Sequence, residues 1–215
     1  EAVVVSIGGG GLIGGVALAV KSLSDKVVVY GVEAARIAAM QASIDAGKLV
    51  ELPARKTLAD GIAVRNVSHL TFSLVQQYVD GITTVEEEEI ASAVLQLMEQ
   101  EKTVVEGSGA AALAGLMRKD LGLQDKKVAL ILSGGNIDVN ILSRIIDRGL
   151  VKNGRLVRLN VRVPDVPGSL ARITDRVADV RANVVEVHHN RVFAAGGLGE
   201  TDIEMTLETR GFDHI

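Results

Sequence analysis

VVVSIGGGGLIGG (residues 3–15) runs from an apolar stretch of strand length through four consecutive glycines into a second apolar stretch. The β-branched run predicts a buried strand over Val3–Ile7, a loop at Gly8–Gly11 and a helix over Leu12–Leu23. The same alternation continues outward. Val27–Val32 reads as a second buried strand, and a helix follows around Arg36–Ala46. Asp80–Val85 reads as a short strand, with Thr84 and Glu87 forming a capping box that opens a helix over Glu86–Glu101. An Ala-rich helix over Ser108–Leu121 precedes a buried strand, Lys127–Leu132, which ends in Ser133-Gly134-Gly135-Asn136. Buried strands separated by helix-length segments predict an α/β fold, a parallel sheet between two helical layers.

Composition narrows the class. The 215 residues are 47% hydrophobic but 2% aromatic, without Trp, so Val, Ile, Leu and Ala must build the core. A net charge of −4 with no basic stripe argues against a nucleic-acid partner. No uninterrupted apolar run reaches the roughly 18 residues that span a bilayer, so no membrane partner is expected. The absence of Cys excludes disulfides and thiolate catalysis and suits a cytoplasmic protein. Glu1 enters an apolar run without an initiator Met, so the sequence reads as a fragment.

The pattern changes at the polar, Gly-bearing stretch 149–154, which sets the expected domains at 1–149 and 156–215. Leu156–Pro164 alternates like a half-exposed strand, and Pro167-Gly168-Ser169-Leu170 opens an amphipathic helix to about Val180. Val184–His188 and Asp202–Thr209 alternate again. This β-α-β-β order is the first part of a split βαβ sandwich, a partial α+β ferredoxin-like domain.

Consecutive residues without Cβ atoms can turn several N–H groups toward one point, and the helix that follows adds its unpaired N–H groups and its positive dipole end. Gly8–Gly11 therefore predicts a cup for a phosphate, needing no Lys or Arg. Gly9, Gly11 and Gly14 also fit G-x-G-x-x-G, with Glu33 placed as a ribose-binding acid, so the loop alone does not exclude a nicotinamide dinucleotide and an NAD-dependent oxidoreductase. The Ser133–Asn136 turn lies at the same carboxyl edge of the sheet. A dinucleotide does not call for it, whereas a ligand with phosphate at one end and a heterocyclic nitrogen at the other does.

The segments VVVSIGGGGLIGG (3–15), TLADGIAV (57–64), VEGSGAAALAG (105–115) and LSGGNID (132–138), in this order and spacing, resemble the threonine dehydratases, which are fold type II pyridoxal-phosphate enzymes. The resemblance implies that Gly8, Gly9, Gly10, Gly11 and the backbone of Leu12 hold the phosphate of pyridoxal 5'-phosphate. It implies that Ser133 hydrogen-bonds the pyridine nitrogen and that Gly61 and Glu106 lie near the ring. The implied reaction is β-elimination from L-threonine or L-serine, giving 2-oxobutanoate and ammonia from threonine, in isoleucine biosynthesis. Serine racemase and related elimination enzymes share these motifs. The family's Schiff-base lysine belongs to a Ser-Phe-Lys-type motif ahead of the glycine loop. No such motif occurs here, so no catalytic residue is assigned and the chain alone is not expected to be competent. Residues 156–215 resemble an ACT domain, which implies an amino-acid effector and a homo-oligomer. An amino-acid-sensing regulatory protein is thus a third reading.

Other residues are weaker candidates. Glu86–Glu89 reads as a solvated first helical turn rather than a metal site. In some relatives Glu33 would ligate a divalent cation with an Asp six residues on, but Ala39 stands there, and no metal is expected. His188 and His189 cannot share one strand face. His69 and His214 have no evident partner. Asp60 could enter the pocket or shape the turn before Gly61.

Overall fold

In the computed structural model, which describes residues 1–191 and 197–215, the chain divides into the units Glu1–Ile145 and Ile146–Ile215. In the first unit, β1 (Ala2–Ser6), β2 (Val28–Ala34), β3 (Gly81–Val85) and β4 (Val128–Ile131) form a parallel sheet in the order β3-β2-β1-β4. The valines of β1 and β2 stiffen the backbone in extended form and are covered on both faces, as an inner parallel strand requires.

Strand alternation divides the valines between two helical layers. Val5, Ile7 and Val29 join Ile13 and Ala17 of α1 (Gly11–Leu23), Ala39 and Met40 of α2 (Ala39–Ala46) and Val75 of α3 (His69–Tyr78) in one core cluster. The opposite face takes α5 (Gly107–Met117), whose Gly115 rests on Val32, and α5 in turn packs on α4 (Glu87–Gln96). The expected α/β fold with a parallel sheet is therefore present. From β1 the chain moves outward to β2 and β3, then returns to place β4 on the other side of β1. The β1/β4 crevice is thus the point at which strand order reverses, where open α/β sheets bind ligands.

Several boundaries differ from the expectations. Thr84 is not a helix cap: it lies within β3 opposite Glu33, and α4 begins only at Glu87. The capping box is instead Glu86 with Glu89, and Glu86 N–H donates to Glu89 Oε2 at 2.7 Å. The helix around Arg36–Ala46 is broken, with a 3₁₀ turn at Ala35–Ile37 ahead of α2. A π turn at Leu97–Glu101 ends the α4 segment. The stretch 149–154, expected to connect two domains, is largely the end of α6 (Val139–Lys152). Ile141, Leu142, Ile145 and Ile146 give that segment a helical apolar spacing that Gly149 does not interrupt.

The second unit contains β5 (Leu156–Pro164), α7 (Ser169–Asp179), β6 (Asn183–Asn190) and β7 (Glu200–Glu208). Its sheet order is β5-β7-β6, with β7 antiparallel to both neighbours. This is the split βαβ arrangement, since the two strands joined through α7 leave room for β7 between them. Ile203, Met205 and Leu207 alternate along β7 toward Val177 of α7. Gly168 takes φ 88 before α7, and Ser169 Oγ donates to Pro164 O at 2.8 Å, closing the strand-to-helix turn.

The packing of β2 on α1 has little slack. A Cβ on Gly31 would lie 2.9 Å from both Ile13 Cδ1 and Ile7 Cγ1, with Ile7 Cδ1 closer still. Gly31→Ala is expected to destabilise the first unit by about 1–3 kcal/mol through overpacking, measured by urea unfolding. An unchanged midpoint would contradict this packing.

Candidate functional site

β1 ends at Ser6, and Ile7 N–H still reaches Val32 O at 2.7 Å before the chain turns through the glycines. Gly10 sits at φ 87, ψ −1 and forms the N-cap of α1. A Cβ there would stand 2.5 Å from Met40 Cε and 2.9 Å from Thr71 Cβ, so both conformation and space demand glycine. Gly8 lies against Ile62, where a Cβ would come within 3.0 Å of Ile62 Cα. At Gly9 and Gly11 a Cβ would meet nothing within 4 Å. The opening N–H groups of α1 have no intrahelical acceptors and emerge at this turn.

β4 lies beside β1 in parallel register, so its exit, Ser133–Asn136, leaves the same sheet edge. α5 holds that exit in place. Glu106, its N-cap, accepts Asn136 N–H at Oε2 (3.0 Å) and donates its own N–H to Gly134 O (3.3 Å). Gly109 lets the first turn of α5 approach Ser133 so closely that a Cβ would overlap the Ser133 carbonyl oxygen. A third wall is Gly61-Ile62, in a 3₁₀ turn at Asp60–Ile62. The segment leading to it is tied to α4, with Thr57 Oγ1 donating to Glu87 Oε1 (2.6 Å) and Leu58 N–H to Glu87 Oε2 (2.7 Å).

These walls enclose a cavity of about 230 Å³ lined by Ser6, Gly8, Gly9, Gly10, Gly11, Leu12, Gly61, Ile62, Glu106, Ser108 and Ser133. All six residues expected to hold a cofactor line it, as do Gly61 and Glu106. Ser6, Ile62 and Ser108 were not anticipated. The signal for Ser6 was a lone hydroxyl in a valine strand, and for Ser108 a hydroxyl in the first turn of an Ala/Gly helix. Ser6 Oγ and Ser108 Oγ are buried and have no hydrogen-bond partner. A buried hydroxyl left unpaired costs about 1–3 kcal/mol, so both atoms call for a polar ligand. Free helix-terminal amides, a side-chain-free turn and three hydroxyls fit a small phosphorylated heterocycle. The lining carries no cation, so backbone amides would have to receive the anion.

Glu33 is placed elsewhere. It is 2% exposed, and its carboxylate accepts Met40 N–H at Oε1 (2.9 Å) and Gln41 N–H at Oε2 (2.7 Å). It therefore caps α2, whose N-cap Ala38 has no side-chain acceptor, and it is committed neither to a ribose nor to a cation. Burial, partly opposed by these two bonds, raises its pKa from 4.5 to about 7. Asp60 is exposed and does not line the cavity. His214 accepts Arg210 N–H at Nδ1 (3.0 Å), which leaves Nε2 to donate to Val180 O (2.7 Å), a pairing the sequence had hidden. Among the described residues, no group of three or more His, Asp or Glu side chains is placed to hold a metal. No helix among them is long and apolar enough to cross a membrane.

Residues 1–134 match the model of a family described as pyridoxal-phosphate dependent enzyme. The chain is 47% identical to an L-threonine ammonia-lyase of Thermotoga maritima over 215 residues, all of this chain and 53% of the relative. A threonine deaminase from Solanum lycopersicum superposes with TM-score 0.64 at 33% identity, covering 68% of this chain and 43% of that one. A serine racemase from Dictyostelium discoideum gives TM-score 0.60 at 32% identity, covering 64% and 44%. The chain spans about half the length of the curated relatives it matches.

The raised Glu33 pKa sets a pH dependence. The folded carboxyl retains a proton that the unfolded chain releases above pH 4.5. Its contribution is therefore complete below about pH 4.5 and is lost as pH rises through about 7, amounting to about 3 kcal/mol. Urea unfolding at pH 4.5 and pH 8 should show the parent losing this much relative to Glu33→Gln. A difference between the two proteins that does not change with pH would refute the assignment.

Proposed function

Because the chain belongs to the family of pyridoxal-phosphate-dependent enzymes, we propose that it supplies the cofactor-holding part of an L-threonine ammonia-lyase that also accepts L-serine. One observation carries the reading: the Gly8–Gly11 turn and the Ser133 turn line a single cavity that also contains two unpaired buried hydroxyls.

In this proposal the backbone amides of Gly8–Gly11 and Leu12 receive the phosphate, so retention depends on the absence of side chains at the turn. Ser133 Oγ meets the pyridine nitrogen, and Gly61 and Glu106 border the ring. When bound, pyridoxal phosphate supplies an aldehyde for the substrate amine and an electron-withdrawing ring that acidifies the substrate Cα–H. The neutral Ser133 hydroxyl cannot hold a proton on the ring nitrogen as a carboxylate would. That moderates electron withdrawal and suits prompt loss of a β-hydroxyl over amino transfer. Ser6 and Ser108 offer two further polar contacts inside the cavity. The net change is threonine to 2-oxobutanoate and ammonia, which requires no oxidant.

Residues 156–215 are proposed as an ACT-like regulatory domain that binds an amino-acid effector in a cytoplasmic homo-oligomer. Support comes from the split βαβ order, the Gly168 turn that frees the N-terminus of α7, and the exposed edge strand β6. Serine racemisation is the second reading, favoured by the racemase likeness and compatible with the same cavity.

The full-length protein should be yellow as purified, and borohydride should fix the cofactor covalently. Gly10→Val should lower the bound pyridoxal phosphate, because its side chain would run into Met40 and Thr71. Unchanged cofactor content would refute the phosphate role of the turn. Ser133→Ala should keep the cofactor but slow 2-oxobutanoate release about tenfold, the worth of one hydrogen bond. A parental rate would remove Ser133 from the ring nitrogen, and D-serine formation without 2-oxobutanoate would select the racemase reading.

A further inference from the structure

Glu33 is a buried carboxylate that the cofactor chemistry leaves unused. Its two hydrogen bonds go to the second and third residues of α2, where the N–H groups have no intrahelical acceptor. Ala38, at the position where Ser or Asp would normally accept them, has no side-chain oxygen to offer. α2 has eight residues, too few for helical propensity alone to maintain it, so its first turn depends on this cap and on packing.

That turn carries Met40, which is fully buried and whose Cε packs against Gly10. Thr71 of α3 touches Gly10 as well, and its Oγ1 is held by Ser68 O at 3.2 Å. Gly10 is the left-handed residue that sets the direction of the amides opening α1. A continuous mechanical path therefore leads from the Glu33 carboxylate through the first turn of α2 and Met40 to the floor of the glycine turn.

We propose that Glu33 is a positioning residue for the anion-binding turn: by capping α2 it seats Met40 beneath Gly10 and so fixes the amides of Gly8–Gly11. This rests on the assignment of a phosphate to that turn, and it gives the dinucleotide-like acid of the sequence a different task. Glu33 never touches the ligand. Its replacement acts on how well the turn is formed before any ligand arrives.

The test uses the full-length protein as parent, Glu33→Gln, Met40→Ala and the double variant. Amide hydrogen exchange without cofactor is read at residues 9–14 and 39–43, with β1 and β4 as references. At pH 4.5, where the Glu33 contribution is still present, Glu33→Gln should exchange about tenfold faster at both segments relative to β1 and β4, which report any change in global stability. Met40→Ala should reproduce the effect at 9–14, and the double variant should be no faster there than the faster single variant, because both act through one contact. The affinity for pyridoxal 5'-phosphate should fall in parallel, whereas that for pyridoxal, which has no phosphate, should not. Parental exchange at 9–14 in Glu33→Gln overturns the proposal. So does acceleration that spreads equally to β1 and β4, which would make Glu33 a general stabiliser, or multiplying effects in the double variant. A parent that binds no pyridoxal 5'-phosphate defeats the cofactor reading alone, because the exchange pattern still decides whether Glu33 holds the turn.

Discussion

The parallel pairing of β1 with β4, Ala2 with Val128 through Val5 with Ile131, is the constraint on which the site depends. Neighbouring strands in a sheet lie about 4.8 Å apart, and parallel strands end at the same edge. Whatever follows Ser6 must therefore emerge beside whatever follows Ile131. Because β4 returns to the side of β1 away from β2, no crossover helix fills the space between the two exits. The cavity follows from topology before any functional side chain is considered.

Topology alone does not bring the walls close enough to act together. The first turn of α5 must press on two loops at once, and at each contact the residue is glycine. Gly107 faces the Leu58 carbonyl and Gly109 the Ser133 carbonyl, both nearer than a Cβ would permit. Backbone carbonyls cannot swing aside as a long side chain can, so these positions have little tolerance. Glu106 adds an electrostatic tie across the same junction, and Glu87 does so for the segment leading to Gly61. The carboxylates near the site thus serve mainly to hold loops, and ligand recognition is left to amides and hydroxyls.

Sequence periodicity captured β1 and β2 because each is a Val-rich run covered on both faces, and β5 and β7 because apolar residues alternate along them. The glycine turn and the Ser133 turn were legible because each directly follows an apolar run of strand length, and sheet geometry then placed them together. The helix boundaries were less legible. Thr84 looked like a cap because the Thr84–Glu87 spacing fits a capping box, and local spacing cannot show that Glu86 and Glu89 form the box instead. Glu33 at the end of β2 satisfied a dinucleotide pattern, yet the missing cap at Ala38 claims its carboxylate. The same limitation concealed Ser6 and Ser108, because whether a buried hydroxyl is paired depends on neighbours distant in sequence.

Those two unpaired hydroxyls bear on how ligand and fold are coupled. A buried hydroxyl without a partner costs about 1–3 kcal/mol, in a domain whose net stability is typically about 5–15 kcal/mol. A ligand that hydrogen-bonds them removes that cost only in the folded state, so part of its binding free energy appears as added stability. The amides opening α1 lie at a more exposed end of the same cavity, where Gly11 and Leu12 face solvent, and they gain an acceptor when an anion enters. Strain of this kind cannot be relieved by closing the gap, because Gly8 and Gly10 already touch their neighbours. Packing fixes the width of the cavity, and the two hydroxyls that find no protein partner are the groups that favour a polar ligand.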